Sequence, residues 1–265
     1  LRIMIIDINI DKTLEEFNNL SIKKSKSVIA YQNIYNLYKP VNNFPSFKDY
    51  RTGPYVFDKI KLNWIIIYSK ESEELMAHGI LGKIIWDESI EDLPKDGWTG
   101  TTIRAYENEL SNKKTNTFVG LFVHVIKKFR EKKLSGVIVE EMKKLAKKNN
   151  KSLIIPLRPP LRYEQDYCAM DFKDFCNLKR DDGLPKDPWL RLHAKLNAKN
   201  LKISNTSHQR SMSISSFYNL FGDKKISKTG YYKFKIFGNW HNVYADLNLN
   251  IIVMNEGCQW VQHRI

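Results

Sequence analysis

The stretch Thr117–Pro159 constrains the fold more than any other part of this 265-residue chain. It opens with a continuous apolar tract at Thr117–Ile126, which is typical of a β-strand buried on both faces. A second short apolar strand at Ser152–Leu157 is closed by prolines. Between them, apolar residues recur at helical spacing, at Leu134, Ile138, Met142 and Leu145. Two strands joined by a helix of this length predict a βαβ-type crossover.

A dense basic turn separates the first strand from the helix. Its cations are Lys127, Lys128, Arg130, Lys132 and Lys133. From residue 127 to residue 151 there are ten Lys and Arg against three Glu, a surplus of seven, which is half of the net charge of +14. A helix N-terminus offers unpaired N–H groups and the positive end of the helix dipole. The turn therefore predicts an anion site, either for the phosphates of a nucleotide-like cofactor or for nucleic acid.

Composition limits the size and class of the protein. The chain is 42% hydrophobic, which suffices for one substantial core, and we expect a single domain over residues 1–265. The longest apolar run, near Trp64–Tyr68, is far too short to cross a bilayer, so no membrane partner is expected. Cys168, Cys176 and Cys258 form no C-x-x-C pair, which favours a reduced, cytoplasmic protein. The six histidines fall singly, so no metal site is predicted.

Periodicity and turn residues divide the rest of the chain. Strands are predicted at Leu62–Tyr68, Leu75–Trp86, Gly230–Phe237 and His241–Met254, with extended segments at Lys202–Ser204 and Arg210–Ser213. Helices are predicted at Asp11–Leu20, Ser27–Tyr38, Thr101–Ser111, Tyr163–Leu178 and Ser215–Phe221, and a short helix or strand at Trp189–Leu196. Loops are predicted at Asp92–Gly100 and Asp181–Pro188.

The basic turn resembles the pyrophosphate loop of the GNAT acyltransferase superfamily, which has the form [Q/R]-x-x-G-x-[G/A]. The matching segment is Arg130-Glu131-Lys132-Lys133-Leu134-Ser135, with Gly136 directly after it. Lys133 replaces the first glycine and Ser135 the final small residue. Because glycine there permits unusual φ values, Lys133 is expected to keep ordinary backbone angles or to compensate with its ammonium group.

The resemblance extends to a bacterial GNAT subgroup with a long C-terminal half. It covers roughly residues 75–263, at Leu93–Trp98, Phe129–Gly136, Pro156–Pro159, Arg180–His193 (RDDGLPKDPWLRLH), Arg210–Ile214 and Val253–His263. It implies an α+β fold: a mixed, bent sheet with splayed central strands, flanked by helices, plus a C-terminal β extension. Residues 1–74 would be an N-terminal elaboration, 75–178 the cofactor-binding core, and 179–265 an extension that completes the sheet and the acceptor site.

The same resemblance implies acetyl-coenzyme A as acyl donor, lying between Phe118–Ile126 and Leu153–Leu157. Val125 and Ile126 would face its pantetheine amides. Arg130 and the amides of Lys132, Lys133, Leu134, Ser135 and Gly136 would hold its pyrophosphate. Lys132 or Lys133 would meet its third phosphate, and Arg158, after the second strand, is another candidate anion contact.

Family members protonate the leaving thiolate with a tyrosine after the second of these strands, which here implies Tyr167 ahead of Tyr163. Many place a glutamate base on the first strand, but His124 is the only titratable side chain there, and it is the candidate base alongside Glu107 and Glu109. Family members usually form no covalent enzyme intermediate, so the cysteines are expected to be bystanders.

The acceptor implied by the resemblance is an amine of a small molecule or natural product, as in secondary metabolism. Three alternatives remain open. One is a donor with a longer acyl chain or an acyl carrier protein, which the basic turn would suit. Another is a member that binds the cofactor without catalysis. The third is a nucleic-acid-binding module, disfavoured because the cations cluster at one helix mouth rather than along a stripe.

Overall fold

A computed structural model describes the backbone of residues 3–8, and residues 60–69, 75–222, 225–236 and 238–265. The strands are β1 (Ile3–Ile8), β2 (Asn63–Ser69), β3 (Leu75–Ile84), β4 (Thr117–Val125), β5 (Ser152–Leu157), β6 (Lys199–Ser213), β7 (Gly230–Ile236), β8 (Asn239–Asp246) and β9 (Ile251–His263). The α-helices are α1 (Gly97–Leu110), α2 (Leu134–Lys148), α3 (Phe172–Asn177), α4 (Pro188–Lys195) and α5 (Ile214–Phe221). Within the described residues, two 3-10 helices span Lys127–Lys132 and Pro160–Tyr163. The helices predicted at Asp11–Leu20 and Ser27–Tyr38 lie outside the described residues.

The strands form one mixed sheet in the order β1-β2-β3-β4-β5-β9-β8-β7, and β6 also pairs with β9. The β4–β5 pair is parallel, and the other pairs recorded between the described strands are antiparallel. Helix α2 connects β4 to β5, so the crossover predicted from Thr117–Pro159 is confirmed. The predicted α+β class, a bent mixed sheet flanked by helices, is also confirmed.

The two central strands splay apart along their length. Their pairing is limited to Thr117–Val119 of β4 and Ser152–Ile154 of β5. Directly beyond it, the register of β4 against β3 shifts at Leu121, because Phe122 and Gly120 oppose the consecutive residues Ile80 and Leu81. Such a bulge bends its strand and increases the local twist. The bulge therefore accounts for a V-shaped gap between β4 and β5.

Helices cover both faces of the sheet, which explains the continuous apolar tract of β4. On one face, Ile138 of α2 packs with Phe118 and Leu153. On the other, Trp98 of α1 packs with Val119. A separate cluster of the C-terminal strands and α5 contains Met212, Phe217, Val243 and Ile252. Among the described helices, none has both the length and the apolar character needed to span a bilayer.

The loop predicted at Asp92–Gly100 is shorter than expected, because α1 already begins at Gly97. Gly97 has φ +48°, and a Cβ there would lie 2.4 Å from Oγ of Ser207. That Oγ accepts a hydrogen bond of 2.9 Å from the amide of Trp98. A partner 109 residues away thus supports the helix start, and no local sequence signal reports it.

The helix predicted at Tyr163–Leu178 is wrong. Of the predicted range, only the six residues of α3 form an α-helix, and the Asp171 side chain caps its first turn. The preceding residues form turns because the Arg162 guanidinium donates hydrogen bonds to the carbonyl groups of Tyr167 and Met170. Bonds of this kind satisfy backbone carbonyls that a helix would satisfy internally.

The strand predicted at His241–Met254 is also wrong, because it is two strands, β8 and β9, joined by a turn. Asp246 accepts a hydrogen bond of 3.0 Å from the amide of Leu249, and Asn250 has φ +50°. Asn and Asp favour such turns, since their side chains bond the nearby backbone. Conversely, the extended segments Lys202–Ser204 and Arg210–Ser213 belong to one long strand, β6.

Candidate active site

The gap between the splayed strands is a cleft of about 160 Å³. Its walls come from residues 120–123 of β4, and from Ile155 and Pro156 of β5. Arg158 and Tyr163 stand at the end that follows β5. A Cβ on Gly120 would lie 2.9 Å from the Ile155 side chain. Glycine at this position therefore allows β4 and β5 to lie close together at the point where they begin to diverge.

The edge of β4 that faces the cleft presents main-chain hydrogen-bonding groups. The amide of Ile126 donates to the carbonyl of Met76, on β3, at 3.0 Å. In an antiparallel pair, successive residues alternate between pointing at the partner strand and away from it. The N–H and C=O groups of Val123 and Val125 therefore point toward the cleft. Of the two residues predicted to face pantetheine, Val125 has this orientation, whereas the Ile126 amide is already bonded to β3.

The basic turn ends where α2 begins, and Lys133 forms the junction. Lys133 has φ 55° and ψ 24°, the left-handed conformation, so the expectation of ordinary backbone angles is wrong. Lys133 therefore adopts the backbone conformation that glycine favours, although it carries a side chain. The amide of Gly136 donates to the Lys133 carbonyl at 3.1 Å, so that predicted anion contact is engaged within the turn. Leu134 and Ser135 occupy the first two helical positions, where an N–H group has no carbonyl four residues earlier within the helix to bond.

We expect Lys133→Gly to raise the free energy of unfolding by about 1 kcal/mol, since a left-handed residue with a Cβ costs roughly that much relative to glycine. Urea denaturation would measure it. Lys132→Gly is the matched control: it removes the same charge one residue earlier, where φ is not positive, and should be destabilising. Equal destabilisation by both substitutions would contradict the prediction.

A second cavity, of about 360 Å³, lies in the fork between β5 and β8. β5 pairs with residues 259–263 of β9, and β8 pairs with residues 251–254. Because β6 occupies the opposite edge of β9 along most of its length, β5 and β8 share one edge. Residues 255–257 of β9, which lie between the two pairings, line the cavity together with Trp240 and His241 of β8.

A buried charged cluster forms one side of this cavity. Arg158 donates to Glu256 at 2.8 Å and lies 3.1 Å from Nδ1 of His208. The Arg158 guanidinium also lies 5.7 Å from the Trp98 ring centroid. Burial opposes the ionisation of Glu256, but Arg158, His208 and Arg210 outweigh it and hold the pKa of its carboxyl well below its usual range. Burial lowers the pKa of His208 to about 4, against an opposing bond to Glu256, so its imidazole is neutral near pH 7.

Tyr163 lines both cavities and so connects them. Its ring centroid lies 5.3 Å from that of His241. Burial, followed by the negative charge of Glu256, raises the pKa of the Tyr163 hydroxyl above its ordinary value. The group is therefore protonated throughout the physiological range.

Tyr167, the favoured acid, lies outside both cavities. Its ring packs edge-on against Phe175 at 5.7 Å, and the Lys186 ammonium lies 5.4 Å from its centroid. His124 is also absent from the residues lining either cavity, and its ring lies 5.5 Å from His78. Burial and, second, Arg130 lower the pKa of His124. Of the three predicted catalytic residues, Tyr163 lines the two cavities, whereas Tyr167 and His124 line neither.

The remaining candidate acids and nucleophiles also lie elsewhere. Glu109 accepts a hydrogen bond of 2.7 Å from the amide of Lys61, and Glu107 is exposed on α1. The cysteines are free and buried, and burial raises the pKa of Cys176 and of Cys258 to about 12, so these two thiols are protonated. Within the described residues, there is no group of three or more His, Cys, Asp or Glu that could hold a metal ion.

Sequence reasoning missed Glu256, His208 and His241. One signal was available for the first: Glu256 is the only acid in the apolar segment Val253–His263, which the resemblance had already marked. An acid in a strand of this kind indicates a paired or functional carboxylate. His208 and His241 carried no comparable local signal.

Comparison with known proteins supports the expected family. No family model matches the chain. It is 27% identical over 134 residues to the arginine N-acetyltransferase avaD of Aspergillus versicolor, covering 48% of this chain and 45% of that protein. The chain thus matches less than half of that relative's length. The loading GNATL domain of CurA from Lyngbya majuscula has a TM-score of 0.50 at 11% identity, over 99% of this chain and 98% of that one, which is a likeness of fold. The chain is thus similar in part of its sequence to an N-acetyltransferase and similar in fold to a GNAT domain, in agreement with the splayed strands and the resemblance at Arg130–Gly136.

Proposed function

We propose that the protein transfers an acetyl group from acetyl-coenzyme A to a primary amine, by direct attack and without a covalent enzyme intermediate. The observation that carries this proposal is the cleft between β4 and β5. It runs beside a strand edge with outward-pointing amides, and it contains a protonated tyrosine. An extended amide-bearing chain can bond such an edge as an added strand would.

The donor's parts correspond to three regions of this chain. The main chain of Val123 and Val125 suits the pantetheine amides. The first-turn amides of Leu134 and Ser135, together with Arg130, suit the pyrophosphate, because anions bind at helix N-termini. Exposed cations at Lys132 and Lys133 are available for the third phosphate. Arg158 is less suited to this role than expected, since it is paired with Glu256.

Tyr163 has the chemistry that the leaving group requires. When the amine nitrogen attacks the thioester carbonyl, a C–N bond forms and the C–S bond breaks, which leaves a thiolate. A thiolate needs a proton to depart efficiently, and a positioned side chain that provides one typically accelerates the reaction. Tyr163 is protonated and lines the cleft, whereas Tyr167 packs against Phe175.

We expect coenzyme A to raise the melting temperature, because a ligand that binds only the folded state stabilises it by about 2.7 kcal/mol at a hundredfold excess over Kd. Arg130→Glu should abolish the shift, since it places a negative charge beside the pyrophosphate. Lys148→Glu is the matched control. It makes the same charge change about 20 Å away, at the other end of α2, and should leave the shift intact. Equal shifts in both variants would locate the pyrophosphate elsewhere.

The acceptor is proposed only as a primary amine. The curated relative's name includes arginine, which makes L-arginine the first acceptor to test. Release of free coenzyme A thiol on adding L-arginine, beyond the background rate of hydrolysis, would measure the transfer. Mass spectrometry would identify the acetylated product.

A second candidate donor is an acyl carrier protein or a longer acyl chain. Lys127, Lys128, Arg130, Lys132 and Lys133 are all exposed at the mouth of α2, and this surface suits an acidic carrier. Turnover with acetyl-coenzyme A, long-chain acyl-coenzyme A and an acetylated carrier separates the candidates. Preference for the carrier, weakened by salt and by reversal of charge at Lys127 and Lys128, would favour this alternative.

A further inference from the structure

The cavity in the fork between β5 and β8 adjoins the cleft proposed for the donor, and Tyr163 lines both. We propose that this cavity is the acceptor site, that it takes a primary amine, and that His241 removes the proton from that amine. The inference rests on the proposed acyl transfer and deepens it by assigning the second substrate's place and the general base.

The position of His241 satisfies the geometric requirement for a base. It lies on β8, where its backbone pairs with Phe234 of β7, and it lines the cavity. Its ring centroid is 5.3 Å from that of Tyr163. An amine between His241 and the mouth of the cleft would therefore face the thioester carbon beside the proposed proton donor. A base must come within hydrogen-bonding reach of the proton it removes, directly or through one water.

The surroundings of His241 favour a neutral imidazole. Burial lowers its pKa, Glu256 on β9 raises it, and Arg210 on β6 lowers it again, with a lowered pKa as the net result. Tyr163 also faces it from the 3-10 helix and is uncharged. A neutral imidazole near pH 7 has one nitrogen lone pair with which to accept a proton.

Glu256, which lines the cavity, and His208, which lies behind the lining residues, both interact with Arg158. Glu256 accepts from Arg158 at 2.8 Å, and its pKa is held low, so it is a weak base. His208 lies 3.1 Å from the same guanidinium and is only 7% exposed. Among the titratable side chains that line the cavity within the described residues, His241 thus has the better combination of access and basicity.

His241 and Tyr163 together account for the protons that the amine loses and the proton that the thiolate gains. Near pH 7 the ammonium first gives one proton to His241, which releases it to solvent. The neutral nitrogen then forms its bond to the carbonyl carbon, and the second proton that it loses passes to His241. The C–S bond breaks, and the thiolate takes the hydroxyl proton of Tyr163. The imidazolium and tyrosinate that remain are neutralised by one proton transfer between them, directly or through water. Neither step needs an oxidant, a reductant or a further reactant.

The first test is His241→Gln, assayed with acetyl-coenzyme A and L-arginine. We expect kcat at pH 7 to fall about 100-fold or more, with the coenzyme A affinity unchanged, because general-base catalysis contributes at least that much. The deficit should shrink as the pH approaches the amine's own pKa. The acidic limb of the wild-type profile, set by His241 below its ordinary value of 6.5, should disappear.

His263→Gln is the matched control, because His263 is also buried with a lowered pKa but lies outside both cavities. It should keep kcat within about twofold of wild type, whereas general-base losses run to 100-fold or more. If His241→Gln retains wild-type kcat and the wild-type pH profile, the inference is overturned.

A second test needs no acceptor. Bromoacetyl-coenzyme A carries an electrophilic carbon beside its thioester carbonyl, and a neutral imidazole there forms an N–C bond as bromide leaves. The assay uses the Cys168→Ser variant, because the Cys168 thiol also lines the cavity. We expect mass spectrometry to place the adduct on His241, with protection by unmodified coenzyme A.

The outcomes of this labelling separate the two proposals. Labelling confined to other residues, in protein whose melting temperature coenzyme A still raises, would refute the role of His241 alone. Protein that neither binds coenzyme A nor is labelled by the analogue would refute the proposed acyl transfer itself.

Discussion

Tyr163→Phe is expected to lower kcat by about 100-fold to 1,000-fold while leaving coenzyme A affinity within a factor of about two, because the substitution removes only the proton donated to the thiolate. The hydroxyl lies beside Glu256, and its raised pKa means that it carries a proton at neutral pH. Steady-state kinetics at several pH values, with binding measured separately by calorimetry, would show the expected division between turnover and affinity.

Tyr167→Phe is the matched control for this experiment. It deletes the same atom four residues later, from a ring packed against Phe175 outside both cavities. Turnover should stay close to wild type. A large loss in Tyr167→Phe together with normal turnover in Tyr163→Phe would return the acid role to the residue that family resemblance favours.

Glu256→Gln is expected to lower the free energy of unfolding by about 3 kcal/mol, because it leaves the buried Arg158 guanidinium without its carboxylate. The pair is substantially enclosed, with the two side chains 27% and 16% exposed. Denaturation at pH 7 would measure the loss. Glu140→Gln is the control: it breaks the pair with Lys143, where the glutamate is 43% exposed, and should cost less than about 1 kcal/mol.

The pH dependence of Glu256→Gln has a defined sign. The pKa of Glu256 is depressed in the folded protein, so its contribution to stability is complete above the ordinary value of 4.5 and is lost as the pH falls toward the folded pKa. The difference in stability between wild type and variant should therefore narrow below pH 4.5. A difference that is constant from pH 7 down to pH 3 would mean that the carboxylate charge is not what stabilises the cluster.

Local periodicity was sufficient for the elements around the donor cleft. The apolar tract of β4, the spacing of Ile138 and Met142 in α2, and the short β5 all lie within one continuous stretch. A buried strand and an amphipathic helix each leave a repeating pattern in their own residues. The basic turn could also be predicted, since clustered charge is visible in the sequence. The left-handed angle of Lys133 was not visible, because it results from how the 3-10 helix joins α2.

The choice between Tyr163 and Tyr167 illustrates where local pattern fails. The family resemblance favoured Tyr167 on a helix expected after β5, but Arg162 donates hydrogen bonds that hold this segment in turns. The ring that reaches the cleft therefore belongs to Tyr163. A few side-chain to backbone contacts can override helical propensity, which differs among ordinary residues by less than about 1 kcal/mol.

By itself, the sequence determined the βαβ-type crossover and the cationic helix mouth, and its family resemblance gave the expectation of acyl transfer. Only the tertiary structure decided which side chains face each other. Arg158 and Glu256 are 98 residues apart, and they meet because β9 pairs with both β5 and β8. His241 reaches Tyr163 through the same fork. Strand pairing of this kind joins distant segments through backbone bonds that every sequence can make, so no pattern in either segment reveals its partner.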